Sequence, residues 1–149
     1  MKNTVLLIDA EKKTGEMLKR ALASEGIEAI WVTDGKSALA EMEKGRFDLI
    51  ILDLKLPEIS GDKVLEGIRR IDPYVEVIVY TDYQDLSIMK KLINLGVDGY
   101  IDKGEEASLP EAVEKVKARL DPFSEEEREN ILAAAPEGIF REHDLNKEF

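Results

Sequence analysis

Four short polar segments, each directly after an apolar run, carry the side chains of this 149-residue chain best suited to a reaction. They contain the carboxylates of Asp9 and Asp53, the hydroxyl of Thr81 and the ammonium group of Lys103. Carboxylates suit a hard cation such as Mg²⁺, which binds one or two of them and keeps several waters. Lysine and a hydroxyl suit a phosphoryl group, and an aspartate can itself be the nucleophile that becomes an acyl phosphate. The combination predicts phosphoryl chemistry beside a magnesium ion.

The apolar runs before these polar segments predict β-strands. Short β-branched runs bounded by polar residues are typical of strands that are buried on both faces of a parallel sheet. The predicted strands are Val5–Ile8, Ala29–Val32, Leu49–Leu52, Val77–Tyr80 and Gly99–Ile101.

Segments with apolar residues at helical spacing lie between the predicted strands. Three of them end before a glycine and one ends before Asp72-Pro73, both of which are stop signals. The fifth begins at Ser108, which forms a capping-box pattern with Glu111. Alternating strands and helices predict an α/β fold, a doubly wound five-stranded parallel sheet with five flanking helices. Right-handed crossovers then bring the carboxyl ends of the strands to one crevice.

The composition narrows the function classes. The chain has 32 acidic and 21 basic residues, and its net charge of −11 argues against nucleic acid as a partner, because phosphates attract Lys/Arg surfaces. Zero cysteines exclude disulfides, and the single histidine argues against a multi-histidine metal site. The N-terminal apolar run is too short for a signal peptide or a membrane span. We therefore expect a cytoplasmic protein that makes no membrane contact.

The composition changes after Leu120. Residues 121–149 hold nine acidic and three basic residues. We therefore divide the chain into a domain over residues 1–120 and an acidic, partly helical C-terminal tail over residues 121–149. The tail is too short and too acidic for a DNA-binding output domain. Short helices are marginal in water, so they must dock on the domain or on a second copy as a homodimer, and a disordered end is the alternative.

In order and spacing, residues 4–120 resemble the receiver domain of two-component response regulators. The resemblance implies a flavodoxin-like receiver fold and a phosphoprotein, not an enzyme, whose partners are a histidine kinase or phosphotransfer protein and a downstream protein. The motifs that carry it are Asp53, Pro57, Gly61, Thr81, Tyr100 and Lys103.

The resemblance also assigns a role to each site residue. Asp53 is the phosphoacceptor. Thr81 hydrogen-bonds the phosphoryl group in the active state, and Lys103 pairs with that group. Tyr100 is the aromatic residue that turns inward with the switch.

Magnesium is the cofactor that the resemblance implies. Ala10 stands where the family usually carries a second acid that binds the metal directly, so we predict weak Mg²⁺ binding. Glu11 and Asp82 are further carboxylates near the site, and the assignment of a ligand role to either stays open. The implied metal ligands are Asp9, Asp53 and the backbone carbonyl of Lys55.

Two more departures from the family pattern keep other functions open. Asp82 replaces a usually small residue beside a site that must accept an anion, and Gly104 replaces a proline that usually follows a cis bond. The alternative is a pseudo-receiver, an interaction module that does not depend on phosphorylation. A third hypothesis is a haloacid-dehalogenase-type phosphatase with Asp9 and Glu11 as its acids, although 120 residues leave little room for the cap and late ligands of that class.

Overall fold

A computed structural model describes residues 4–83, 85–104, 108–121 and 125–134 of the chain. Within these ranges, five strands alternate with helices, and a sixth helix follows. In chain order the elements are β1 (Thr4–Ile8), α1 (Lys12–Ser24), β2 (Glu28–Val32), α2 (Gly35–Lys44), β3 (Leu49–Leu52), α3 (Gly61–Ile71), β4 (Glu76–Thr81), α4 (Leu86–Asn94), β5 (Gly99–Asp102), α5 (Ser108–Leu120) and α6 (Glu125–Ala134).

The strands form one parallel sheet in the order β2-β1-β3-β4-β5. This arrangement confirms the predicted doubly wound fold. The strand order reverses between β1 and β3, and ligands of such sheets bind at the carboxyl ends of the strands beside that reversal. The sheet therefore places the residues after β1 and β3 at the centre of a crevice.

Alternate residues of each strand pack on opposite faces of the sheet, because side chains alternate along a β-strand. Val5 and Leu7 pack in the core that includes residues of α1 and α5, whereas Leu6 and Ile8 pack in the core on the α2, α3 and α4 side. All four side chains are fully buried. Burial on both faces is the reason that these strands are continuously apolar in sequence.

Helices α1 and α4 end in the same way. Gly26 and Gly96 have φ angles of 76° and 79°, in the left-handed region that glycine adopts without a Cβ penalty. The amide of the residue after each glycine donates to a carbonyl in the last turn of the helix. Ile27 donates to Leu22 at 3.0 Å, and Val97 donates to Leu92 at 3.2 Å. These closures direct the chain into the following strand in each case.

Helix α6 confirms the predicted short helix in the C-terminal tail. Its Ile131 is half-buried and its Leu132 is exposed. No helix among the described residues combines the length and the apolar character needed to cross a bilayer. The other apolar residues of the tail for which docking was predicted lie outside the described residues: Phe123, Ile139, Phe140, Leu145 and Phe149.

Candidate functional site

Asp53 directly follows β3 in the middle of the sheet, and its side chain is buried. Its amide donates to the carbonyl of Ile8 at 2.9 Å, which extends the pairing of β3 with β1. Carboxylate oxygen Oδ1 accepts hydrogen bonds from the Thr81 hydroxyl at 2.7 Å and the Lys55 amide at 3.1 Å. The other oxygen, Oδ2, accepts from the Lys103 ammonium group at 2.9 Å. The orientation of this carboxylate is therefore fixed through both oxygens.

Asp9 follows β1 and is 1% exposed. Its Oδ1 accepts from the Glu11 amide at 2.8 Å, and its Oδ2 accepts from the Thr14 hydroxyl at 3.0 Å. The ammonium group of Lys103 lies 3.0 Å from Oδ1 and 2.9 Å from Oδ2. Burial raises the pKa of Asp9 above its ordinary value, although the hydrogen bond from Lys103 opposes the rise.

Lys103 joins the two buried carboxylates, and its own side chain is 4% exposed. Burial alone would lower the pKa of this ammonium group, but its hydrogen bonds to Asp53 and Asp9 outweigh that effect and raise the pKa. Lys103 is therefore charged at neutral pH. Two buried carboxylates therefore face a single ammonium group.

Thr81 and Tyr100 are linked through the backbone of Tyr83. The Thr81 hydroxyl, which donates to Asp53, accepts a hydrogen bond from the Tyr83 amide at 3.2 Å. The Tyr100 hydroxyl donates to the Tyr83 carbonyl at 3.1 Å. Burial, followed by the negative charge of Asp102, raises the pKa of Tyr100. The structure thus brings Asp9, Asp53, Thr81 and Lys103 together and places Tyr100 one backbone link away, while their roles in phosphoryl transfer stay predictions.

The three departures from the family pattern lie around this cluster. Ala10 and Asp82 are exposed and directly follow Asp9 and Thr81 of the cluster. Gly104 is exposed too, and its amide donates to Asp102 Oδ1 at 2.9 Å. No peptide bond among the described residues is cis, as expected for a chain with glycine at position 104.

The loop from Asp53 to Gly61 packs closely on itself. The Gly61 amide donates to the Leu54 carbonyl at 2.9 Å, and a Cβ at Gly61 would lie 2.5 Å from the Asp53 carbonyl oxygen. Only glycine therefore lets α3 begin so close to the phosphoacceptor candidate. Glu58, in the same loop, has a left-handed φ of 66°.

The oxygen ligands around the site are of the type that a hard cation binds, but they are too few to surround one. Both oxygens of Asp53 accept hydrogen bonds, and so do both oxygens of Asp9, so neither carboxylate is free of protein partners. Ala10 contributes a methyl group, and Glu11 Oε2 lies 3.6 Å from the Lys103 ammonium group on a side chain that is 55% exposed. Within the described ranges, no group of three or more His, Asp or Glu side chains converges on a point that could hold a metal.

Sequence reasoning missed several supporting residues. Thr14 bonds to the Asp9 carboxylate, and the Trp31 indole N–H donates to the Asp9 carbonyl at 2.9 Å. The position of Trp31 near the end of a strand that neighbours β1 was the available signal. The Ser108 hydroxyl, predicted to cap α5, instead donates to the carbonyl of Lys103 at 3.2 Å and pairs with the Tyr80 hydroxyl at 3.0 Å.

The parallel sheet of this order, with an aspartate after its central strand and a lysine and a threonine bonded to that carboxylate, agrees with the receiver fold that the sequence predicts. The family model described as "Response regulator receiver domain" matches residues 5–114. The chain belongs to the response-regulator receiver domain family.

Similar proteins agree with this assignment. The transcriptional activator protein IrlR of Burkholderia pseudomallei is 38% identical over 99 residues, which are 66% of this chain and 43% of that protein. The sensory transduction protein RegX3 of Mycolicibacterium smegmatis is 34% identical over 137 residues, 91% of this chain and 57% of that protein. A CheY-like receiver domain protein from Methanospirillum hungatei superposes with a TM-score of 0.77 at 29% identity and covers 82% of this chain and 96% of that one. The chain thus spans about half the length of these two curated relatives.

Proposed function

We propose that Asp53 accepts a phosphoryl group from a phosphohistidine of a histidine kinase or phosphotransfer protein. The observation that carries this proposal is the buried Asp53 carboxylate, with the Thr81 hydroxyl on one oxygen and the Lys103 ammonium group on the other. Attack would form a bond between a carboxylate oxygen of Asp53 and phosphorus. The phosphorus–nitrogen bond to the donor breaks, and the leaving imidazole takes up a proton.

The hydrogen-bond donors of the site suit an incoming phosphoryl group. The incoming phosphoryl oxygens need hydrogen-bond donors and positive charge, and Thr81 and Lys103 supply one of each. Mg²⁺, when bound, supplies further positive charge beside the phosphoryl oxygens. Asp53 and the Lys55 carbonyl would hold it, with Asp9 acting through water. We propose that this binding is weak, because Asp9 is already engaged and Ala10 adds no ligand.

Output would follow from the link between Thr81 and Tyr100. A phosphoryl group that drew Thr81 toward itself would move the Tyr83 backbone, to which both hydroxyls bond. Tyr100 would then shift and bias the surface of α4, β5 and α5 toward one conformation. A downstream protein partner would recognise that surface.

We also propose the division into a receiver over residues 1–120 and a tail over residues 121–149, with signalling by protein contacts. The receiver residues carry 23 acidic and 18 basic side chains, and this net charge of −5 would repel nucleic acid. One relative is named a transcriptional activator and is more than twice as long as the stretch that matches this chain. That output belongs to the relative, and signalling by protein contacts is proposed here for the given residues alone.

A pseudo-receiver is the second candidate, and one observation favours it. Asp82, an exposed carboxylate directly after Thr81, adds negative charge where an anionic phosphodonor would have to approach. Ala10 and Gly104, the other two departures from the family pattern, favour the same candidate. Receiver domains are generally not enzymes, and no contact in the described residues favours the phosphatase hypothesis.

Labelling with radioactive acetyl phosphate in millimolar Mg²⁺ separates the two candidates. The wild-type chain should take up label, and Asp53→Asn should take up none while remaining folded, which its melting curve verifies. Asp82→Asn is the matched control, because it removes an exposed carboxylate near the site and should still be labelled. A wild-type chain that stays unlabelled would favour the pseudo-receiver, and label that persists in Asp53→Asn would assign the phosphoacceptor elsewhere.

A further inference from the structure

A buried chain of hydroxyl groups runs from the sheet to the backbone of Lys103. The Tyr80 hydroxyl lies 3.0 Å from Ser108 Oγ, which lies 3.2 Å from the Lys103 carbonyl oxygen. A carbonyl can only accept, so Ser108 must donate its single proton to Lys103. The tyrosine hydroxyl is therefore the donor to Ser108, and the chain runs from Tyr80 through Ser108 to Lys103.

Both hydroxyl-bearing residues are withdrawn from water, with Tyr80 3% exposed and Ser108 5% exposed. Removal of a hydrogen bond between buried groups is costly, because the remaining partner is shielded from water and stays unsatisfied. Tyr80 also contacts Lys103 directly, since the ammonium group lies 5.9 Å from the centre of the tyrosine ring. The ring faces the ammonium group, while the hydroxyl reaches the carbonyl of the same lysine through Ser108.

The sheet holds the backbone of Lys103 only on its N-terminal side. Its amide donates to the Thr81 carbonyl at 2.9 Å, so the sheet holds the side that precedes it. The residue after it is the exposed Gly104, where the family usually carries a proline. The Gly104 amide donates to Asp102 Oδ1 at 2.9 Å, but glycine lacks the Cβ or ring that would further restrict the backbone after Lys103. The bond from Ser108 to the Lys103 carbonyl restrains this second side.

We propose that Tyr80 and Ser108 are positioning residues that hold the backbone of Lys103 and so aim its ammonium group at Asp9 and Asp53. The expected effect on the rate of phosphoryl transfer rests on the proposed function. The positioning of Lys103 does not depend on that function. The contacts of Tyr80 and Ser108 in the cluster are to each other and to Lys103, so both side chains act through Lys103.

Four variants of the full chain test the proposal by two measurements. Tyr80→Phe keeps the ring and removes the hydroxyl, Ser108→Ala removes the second hydroxyl, and Ser108→Thr restores one. Tyr74→Phe is the control, because Tyr74 is 90% exposed. The first measurement is the exchange of the Lys103 ammonium protons with water, followed by ¹H–¹⁵N NMR without any phosphodonor. The second is the rate of labelling by acetyl phosphate.

We expect Tyr80→Phe and Ser108→Ala to speed ammonium exchange and to slow labelling by roughly fivefold each, the equivalent of one neutral hydrogen bond. Ser108→Thr and Tyr74→Phe should behave like the wild type. In a Lys103→Met background, Tyr80→Phe should not change the labelling rate further, because it acts through the lysine.

The outcomes separate this proposal from the proposed function. If the wild type takes no label but ammonium exchange responds as expected, the phosphoacceptor function fails and the positioning role stands. The positioning role is overturned if folded Tyr80→Phe keeps the wild-type rate of ammonium exchange. It is also overturned if Tyr80→Phe slows labelling as much in the Lys103→Met background as in the wild type. Tyr80→Phe preserves the core volume, and its melting curve verifies that it is folded.

Discussion

The hydroxyl of Thr81 donates a 2.7 Å hydrogen bond to the Oδ1 atom of Asp53. The same hydroxyl accepts a bond from the Tyr83 amide, and the Tyr83 carbonyl accepts one from Tyr100. Asp53 is therefore connected to Tyr100 of β5 through the hydroxyls of Thr81 and Tyr100 and the backbone of Tyr83. We expect a change in charge at Asp53 to reach Tyr100 by this route.

Removal of the Thr81 hydroxyl should break the connection at its first step. Thr81→Val keeps the shape and the β-branching of the side chain but leaves the Tyr83 amide without its acceptor. We expect the free energy of unfolding to fall by about 1.5–3 kcal/mol, as for a buried hydrogen bond to a charged group. Hydrogen exchange at the Tyr83 amide should become faster, and Thr81→Ser should retain slow exchange. Unchanged exchange in Thr81→Val would show that the loop does not depend on this hydroxyl.

Ala10→Asp should strengthen magnesium binding. Ala10 is exposed, so the new carboxylate is accommodated without loss of core packing. One more carboxylate at the mouth of the cluster should raise the Mg²⁺ affinity by at least about tenfold. Fluorescence titration can follow binding, since Trp31 is the only tryptophan and bonds to the Asp9 carbonyl.

Glu11→Gln serves as the companion variant in that titration. If Ala10→Asp leaves the affinity unchanged and Glu11→Gln weakens it, then Glu11 already supplies the missing ligand. The prediction of an incomplete metal site would then be wrong.

Lys103→Met should destabilise the fold in a pH-dependent way. Two buried carboxylates lose their shared counter-charge, so we expect a loss of about 3–5 kcal/mol at pH 7. In the wild type the pKa of Lys103 is raised, so its contribution is complete below the unfolded value of about 10.4 and is lost as the pH rises through the folded value. Urea unfolding from pH 7 to pH 11 should therefore show a shallower alkaline decline for Lys103→Met.

Two further variants check this assignment. The raised pKa of Tyr100 contributes a decline of the same sign, and Tyr100→Phe removes that share. Asp9→Asn in the Lys103→Met background should recover part of the lost stability, because it removes one uncompensated buried charge. Parallel pH curves for the wild type and Lys103→Met would contradict the role of Lys103 as the counter-charge.

Deletion of residues 121–149 should leave the melting temperature nearly unchanged and alter self-association. The described side chains of α6 are exposed except for the half-buried Ile131, whereas a ten-residue helix is marginal alone in water. We therefore expect the helix to dock on a second copy, and sedimentation equilibrium should show a weaker homodimer after deletion. A melting temperature lowered by several degrees would instead indicate docking on the receiver. Unaltered melting and sedimentation would favour a tail that docks nowhere.

The local sequence pattern was sufficient to predict the strands and helices. The continuous apolar run from Val5 to Ile8 has no polar face, and only a strand covered on both sides accommodates it. The predicted strands match the observed ones to within one or two residues at each end. Parallel strands bring their carboxyl ends to one edge, so the meeting of Asp9, Asp53 and Lys103 also followed from sequence.

The contacts within the site were decided by the tertiary structure alone. Lys103 and Asp9 are separated by 94 positions, and no local pattern indicates that one ammonium group bonds to both oxygens of Asp9 and to Asp53. Ser108 shows the same limit, since its sequence predicts a helix cap but the proximity of Tyr80 and of the Lys103 carbonyl redirects its hydroxyl. Backbone periodicity depends on near neighbours, whereas the partner of a buried polar group depends on which distant strands and helices pack beside it.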